Sequence, residues 1–318
     1  MKNVIKVSVV NFNARWGDKE HNLQKILDYS EIAAKEGSNL ILFPELALTG
    51  YEDIAETPRA EKMQTRLAET VPGPSTERIA ELTKKYGIYV VFGLPERDAE
   101  CADVVYNAAA VCGPSGVVTS YRKISPYGSE NNWAKRGKDF VTFDTEWGPI
   151  GISICYDSYS YPEIIRYCRA KGARLILNPT ALINPYCKAP GNNVCLEAYS
   201  IVNYVYIASA NLCGNGKNVN FWGGSHILGP NEDGQGTHVY AGHKFYTQEG
   251  HQVEMHSAAI DLSYADKCME FTPIFMKDFF IKDEPSSPDF QPDVYIRHLE
   301  KLMKDENWLS LYDERPEI

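Results

Sequence analysis

The 318-residue sequence has no Cys-x-x-Cys pair, no regular cysteine spacing and no run of about 18 uncharged apolar residues. It also has no cluster of lysine and arginine: 32 basic residues stand against 42 acidic ones, for a formal net charge of −10. The missing apolar run argues against a membrane-spanning helix. The acidic balance argues against a nucleic-acid scaffold, which needs a basic face to neutralise phosphates. The eight cysteines (101, 112, 155, 168, 187, 195, 213 and 268) fit reduced thiols in a cytoplasmic protein better than a disulfide framework. The seven histidines show no HExxH and no Cys/His ligand spacing, leaving only a metal site assembled from residues distant in sequence. The opening MKNVIKVSVVNFNARWGDKE is broken by Lys6, Asn11, Asn13 and Arg15, and it lacks the apolar region and cleavage site of a signal peptide.

What is present is an apolar share of 44% with 12% aromatics, enough for a large core. The chain alternates strand and helix signals. Val4–Asn11 reads as a strand rich in β-branched residues, and Leu23, Ile26, Leu27, Ala33 and Ala34 fall near one helical face that Gly37 ends. Leu40–Phe43 is a short apolar strand. Ser75 or Thr76 is a candidate cap for a helix carrying Ile79 and Leu82 and ending at Gly87, with a strand over Ile88–Phe92. Val104–Val111 and Val117–Tyr121 flank Gly113-Pro114-Ser115-Gly116, a hairpin signal. Further strands are expected at Ile150–Ile154, Leu175–Leu177 and Val205–Ala208, with helices at Tyr161–Lys171 and Cys195–Val202. Two segments echo each other, Gly37–Pro44 (GSNLILFP) and Gly172–Pro179 (GARLILNP). In each, a helix ends at Gly, an apolar strand follows, and Pro stops the ladder. They are either a true repeat or two ordinary α-to-β units. In both cases they deliver strand ends to the carboxyl edge, where ligands bind in α/β proteins.

After residue 270 the texture changes. Phe271–Ile281 is aromatic-rich, Asp283–Asp293 carries Pro, Ser and acid, and Val294–Met303 suggests a short helix. The expected organisation is a domain over 1–270 and a C-terminal extension over 271–318 that packs on the body or on a partner subunit.

Three polar residues sit at the ends of apolar stretches: Glu45, Lys123 and Cys155. Singly, each has an ordinary explanation as a loop acid, a surface lysine or a buried inert thiol. Jointly they match what thiol nucleophilic catalysis requires: a thiolate source, a group that takes and returns a proton, and a positive charge for the oxyanion. A histidine base remains an alternative. Of the candidates, His21 precedes Cys155, and His226 follows it in GGSHILGP, where a structural or pocket-lining role fits better.

FPELALTGY (43–51), YRKISPYGSE (121–130) and GISICYDSYSYPE (151–163) resemble the three catalytic blocks of the nitrilase superfamily of carbon–nitrogen hydrolases, in order and with separations of roughly 80 and 30 residues. ILNPT (176–180), ASANLCG (208–214) and GGSHILGP (223–230) resemble its later signatures, so the likeness covers about residues 4–265. The resemblance implies an α/β fold, a four-layer α-β-β-α sandwich with two mixed sheets. It also implies Cys155 as nucleophile, Glu45 as general base and then acid, and Lys123 with the backbone N–H of Tyr156 at the oxyanion. Glu130 would orient the lysine and perhaps the substrate nitrogen, unless it is a surface acid. Tyr127 and Tyr159 are candidates for the pocket wall. No cofactor and no metal are implied. The expected partners are a small amide or carbamoyl substrate and a second copy of the chain, as a homodimer or higher assembly.

Two departures from the family pattern stand out. The loop after Cys155-Tyr156-Asp157 is one residue longer than in many members, and Tyr199 and Val202 replace an expected Arg and Glu. Cys-Tyr-Asp, where nitrilases usually carry Cys-Trp-Glu, favours amidase chemistry. A small linear amide leads, an N-carbamoyl amine or amino acid is the alternative, and an inactive binding protein is a third reading.

Overall fold

A computed structural model describes residues 1–184, 189–231, 236–267 and 301. The chain opens with β1 (Val4–Asn11), whose side chains alternate between the two faces of a sheet: Val7 and Val9 enter one core, and Val10 enters another. Helix α1 (Lys19–Lys35) follows, with Asp18 Oδ1 accepting the His21 N–H at its start. Next come β2 (Leu40–Leu42), a short helix α2 (Met63–Leu67) and α3 (Pro74–Tyr86). The last starts one residue earlier than Ser75 or Thr76 as cap would place it. Gly73 occupies the cap position, and Thr76 Oγ1 reaches back to accept the Gly73 N–H, while Glu69 accepts from the Ser75 N–H. Gly87 ends this helix at φ +69°, as its sequence position suggests. Strands β3 (Tyr89–Arg97), β4 (Val105–Gly113) and β5 (Gly116–Arg122) complete the first half, the last two joined by the expected hairpin.

The second half runs β6 (Thr142–Thr145), β7 (Gly148–Ile152), α4 (Tyr156–Ser160), α5 (Pro162–Ala170), β8 (Leu175–Thr180), β9 (Ile183–Asn184), α6 (Ala189–Asn203) and β10 (Tyr206–Asn211). It closes with β11 (Cys213–Asn215), β12 (Asn220–Trp222), β13 (His226–Pro230), β14 (Thr237–Gly242) and β15 (Glu254–Asp261). Helix α4 was not foreseen in the sequence. Residues 268–300 and 302–318, and with them nearly all of the expected extension, lie outside the described residues.

Two six-stranded mixed sheets result, ordered β15-β1-β2-β3-β4-β5 and β14-β13-β10-β8-β7-β6, with a small third sheet β11-β12-β9. The two large sheets have the same wiring. In the first, β1, β2 and β3 are parallel neighbours reached through α1 and α3, followed by antiparallel β4 and β5. In the second, β7, β8 and β10 are parallel neighbours reached through α5 and α6, followed by antiparallel β13 and β14. Strand β15 flanks β1 and β6 flanks β7, both antiparallel. The two echoing sequence segments thus hold equivalent places, β2 and β8, in equivalent sheets. One expectation needs correction. Pro179 does not end its strand, because β8 continues to Thr180 beside β10. The N and C=O of a strand residue point to the same side, and the Pro179 carbonyl accepts from Cys155 N–H beyond the end of β7. The missing N–H therefore interrupts no ladder.

Buried Val7, Val9, Leu40, Leu42, Val91, Ile150, Ile152, Leu175 and Leu177 belong to one core cluster, and Val10, Ile41, Val90 and Phe92 pack with α1 and α3 residues Leu23, Ile26 and Ile79 in another. This is the α-β-β-α sandwich.

Candidate active site

Glu45 lies three residues past β2, in a turn that can form only because β3 carries glycine opposite it. A Cβ at Gly93 would stand 2.3 Å from Leu46 N and 2.6 Å from Glu45 Cα. Instead, Gly93 donates its N–H to the Pro44 carbonyl and accepts from Leu48 N–H. Leu46 holds a positive φ of 50°, an unusual conformation for a leucine. Lys123 directly follows β5, with its N–H on the Asn107 carbonyl of β4 and its own carbonyl accepting from Gly137 N–H. Cys155 lies just past β7 at φ 46° and ψ −108°, a conformation strained for any residue but glycine, and α4 begins immediately after it.

These strand ends bring Glu45, Lys123, Glu130 and Cys155 together, all of them buried. Lys123 Nζ lies 2.6 Å from Glu45 Oε1, and 3.0 and 2.8 Å from the two oxygens of Glu130. Two carboxylates and one ammonium out of water are costly unless every lone pair is served. Glu130 is fully served. Oε1 accepts from the Tyr51 hydroxyl at 2.7 Å and from Lys123, while Oε2 accepts from Lys123, Asn107 Nδ2 and Tyr127 N–H. Glu45 is served on one oxygen only: Oε1 accepts from Lys123 and from Asn107 Nδ2 at 2.7 Å, and Oε2 is buried without a hydrogen bond.

Burial raises the Glu45 carboxyl above the ordinary glutamate value, with Lys123 opposing and Glu130 adding to the rise. Burial alone would lower the Lys123 ammonium, but Glu130 and Glu45 outweigh it and hold the ammonium well above the ordinary lysine range. The Cys155 thiol is pushed far up by burial and then by Glu45; Lys123, the Ala181 N–H and the Thr180 hydroxyl oppose the rise. The buried thiols of Cys112 and Cys213 also rise, to about 12. What separates Cys155 from them is therefore not acidity. It is the adjoining carboxylate, ammonium and hydrogen-bond donors.

Asp157 acts as a latch between the two halves. It accepts from the Tyr121 hydroxyl at 2.7 Å and from the N–H groups of Ile124 and Ser125 at 3.0 and 2.8 Å, tying the chain just after Lys123 to α4. Burial moves its carboxyl up to about 6. Tyr156 is the first residue of α4, so its N–H has no acceptor within the helix. Tyr127 is partly exposed and packs on Tyr156 with ring centroids 5.3 Å apart. Tyr159 hydrogen-bonds Thr180 Oγ1 and Asn178 Nδ2 and packs on Phe245. Tyr246 stands close enough to feel Cys155 and Tyr127; burial, then these two, carry its hydroxyl up to about 12. His226 lies elsewhere in function. It is buried against Phe245, binds the Gly224 carbonyl through Nδ1, and is driven by burial down to about 4, which makes it a poor base.

The sequence did not single out Tyr51, Asn107, Thr180, Asp157 or Tyr246. Asn107 carried a usable signal, a lone amide within the apolar strand VYNAAAV. Tyr51 and Asp157 lay within quoted motifs without an assigned task.

The carbon–nitrogen hydrolase profile matches residues 6–236. The chain belongs to the carbon–nitrogen hydrolase family. Among curated members, a nitrilase of Pyrococcus abyssi is 33% identical over 229 residues, covering 71% of this chain and 82% of that protein. An omega-amidase of Xenopus tropicalis is 28% identical over 269 residues, covering 80% and 88%. Among solved structures of the family, the amidase of Nesterenkonia sp. AN1 is 26% identical with a TM-score of 0.66, covering 85% of this chain and 99% of that one. Nit3 of Saccharomyces cerevisiae shares the fold at a TM-score of 0.70 and 23% identity, covering 85% and 95%. No helix among the described residues is long and apolar enough to cross a membrane.

Proposed function

We propose that this carbon–nitrogen hydrolase converts a small linear amide into its carboxylic acid and ammonia through a thioester on Cys155. The observation that carries the reading is the asymmetry of the two glutamates: Glu130 has no oxygen to spare, and Glu45 keeps Oε2 open beside a protonated thiol. Glu45 Oε2 takes the thiol proton as Sγ attacks the amide carbonyl carbon. The carbonyl oxygen gains the negative charge and is held by Lys123 Nζ and the Tyr156 N–H, each such donor worth about 3–4 kcal/mol. The ammonium has three N–H donors, so turning one to the oxyanion still leaves it bridged to Glu45 and Glu130. Glu45 then returns its proton to the leaving nitrogen, the C–N bond breaks, and ammonia departs. Glu45 next takes a proton from water as the water oxygen attacks the thioester. When the C–S bond breaks, the proton returns to sulfur and the acid leaves.

Support from the relatives is of the same kind. In the Nesterenkonia amidase, acrylamide adds to an active-site cysteine. The tyrosines at the mouth, Tyr127, Tyr156, Tyr159 and Tyr246, offer flat apolar walls with hydroxyl tips, which fits a small neutral acyl group. A cytoplasmic setting would keep Cys155 reduced, and pairing into a dimer follows family habit.

The test is ammonia release from a panel of short aliphatic amides, N-carbamoyl amino acids and nitriles. Linear amides are expected to turn over fastest, with Cys155→Ala silent. A panel on which only carbamoyl compounds react, or ammonia release that survives Cys155→Ala, would reject the proposal.

A further inference from the structure

Away from Cys155, the outer edges of the two sheets meet. Strand β15 is the edge of the first sheet, β14 is the edge of the second, and the two strands touch. Glu254 and His256 are two residues apart on β15 and therefore point from the same face. His243 is the first residue after β14. One ligand-capable atom from each of the three lies within 4.8 Å of the others, and all three side chains are half-buried.

The geometry points to a binding site for one divalent ion of the zinc class on His243, Glu254 and His256, joining the edges of the two sheets. Three observations support it. First, His256 Nε2 stands 3.1 Å from Glu254 Oε1, yet it is buried and forms no hydrogen bond. A donor and an acceptor at that distance would ordinarily align, whereas two ligand atoms of one tetrahedral ion with bonds of about 2.0–2.1 Å stand about 3.3 Å apart without pointing at each other. Second, the rings of His243 and His256 meet edge to face, with centroids 5.3 Å apart and planes at 85°, so both can turn a nitrogen towards a common point without clashing. Third, two imidazoles and one carboxylate form a donor set suited to zinc, cobalt, nickel or copper, and poorly suited to magnesium or calcium, which favour oxygen. Side-chain rotations of about 1 Å would close the widest gap to bonding distance. Partial exposure leaves a fourth position open to water. The ion takes no part in the chemistry proposed at Cys155; its effect is to fasten β14 to β15.

The experiment uses the full-length chain, stripped with chelator, dialysed against micromolar Zn2+ and assayed for bound metal. Unmodified protein, Cys155→Ala, His243→Gln and His256→Gln are compared, with circular dichroism to confirm folding. One equivalent is expected in the first two and at least about tenfold weaker binding in each histidine variant. Zinc should raise the thermal midpoint of the unmodified protein and leave the histidine variants unmoved. Cobalt should give visible ligand-field bands without the near-ultraviolet sulfur charge transfer that a thiolate site would add. If His256→Gln fails to fold, His243→Gln, outside the strand, together with the cobalt spectrum decides the matter. Equal zinc in the histidine variants and the unmodified protein, loss of zinc on Cys155→Ala, a sulfur charge-transfer band, or no retained zinc would each overturn the inference.

Discussion

The two halves of this chain are wired alike and supplied differently. At equivalent strand ends, β2 leads into Pro44 and Glu45, and β8 ends in Pro179 and Thr180. The first half carries the charges: Glu45, Lys123 and Glu130, wrapped in donors from Tyr51, Asn107 and the Tyr127 backbone. The second half carries the thiol on a strained backbone, with the Thr180 hydroxyl and Ala181 N–H as its local support. One framework thus gives a charge-rich side, in which only one oxygen is left open, and a neutral side that holds the nucleophile. A buried thiol with a high pKa is inert without a base. A buried carboxylate–ammonium cluster does nothing without a nucleophile. The division keeps the thiol protonated until a substrate is present.

The largest effect should come from removing either half's reacting group. Cys155→Ala is expected to lower kcat by at least about 10^4-fold with folding intact, measured as ammonia release. Glu45→Gln should cost about 10^2–10^4-fold, chiefly in kcat. Glu130→Gln, on an acid with no free oxygen, should cost less than Glu45→Gln; the reverse order would break the assignment of the base. Gly93→Ala probes the same half through its backbone. Its Cβ meets the Glu45 turn, so a loss of kcat together with about 1–3 kcal/mol of stability by denaturant melts is expected.

The pH profile compares the sides without mutation. Glu45 lies above its ordinary value of 4.5, so the acid limb of kcat/KM should fall at higher pH than for an ordinary glutamate. Lys123 lies well above 10.5, so its deprotonation should not set the alkaline limb below that pH. The smallest effect concerns the second half's core. His226, near 6.5 when unfolded and about 4 when folded, binds fewer protons in the native state across that window. Its contribution to stability is present above 6.5 and lost as pH falls towards 4. The stability gap between the unmodified protein and His226→Gln, measured by urea melts, should therefore narrow over that range.

Much of this was legible in the chain. Glycines 37 and 87 end helices, short apolar runs form the central strands, and Glu45, Lys123 and Cys155 follow such runs. These signals are local, and local patterns are what a sequence displays openly. The supporting cast was not legible, because Asn107, Thr180 and Tyr51 acquire their tasks only when two sheets align. Helix α4 was hidden because its five residues are too few for a periodic pattern. The His243, Glu254 and His256 group was hidden for a related reason: its members come from edges of different sheets.

The central claim is that the thiol of one half forms a covalent intermediate that the carboxylate of the other both creates and clears. The most direct measurement is acid quench of the enzyme during turnover of the best linear amide, followed by peptide mass spectrometry. The account predicts an acyl group, the amide minus ammonia, on the peptide containing Cys155, and none in Cys155→Ala. Acylation of any other residue, or steady ammonia release with Cys155→Ala, would contradict it.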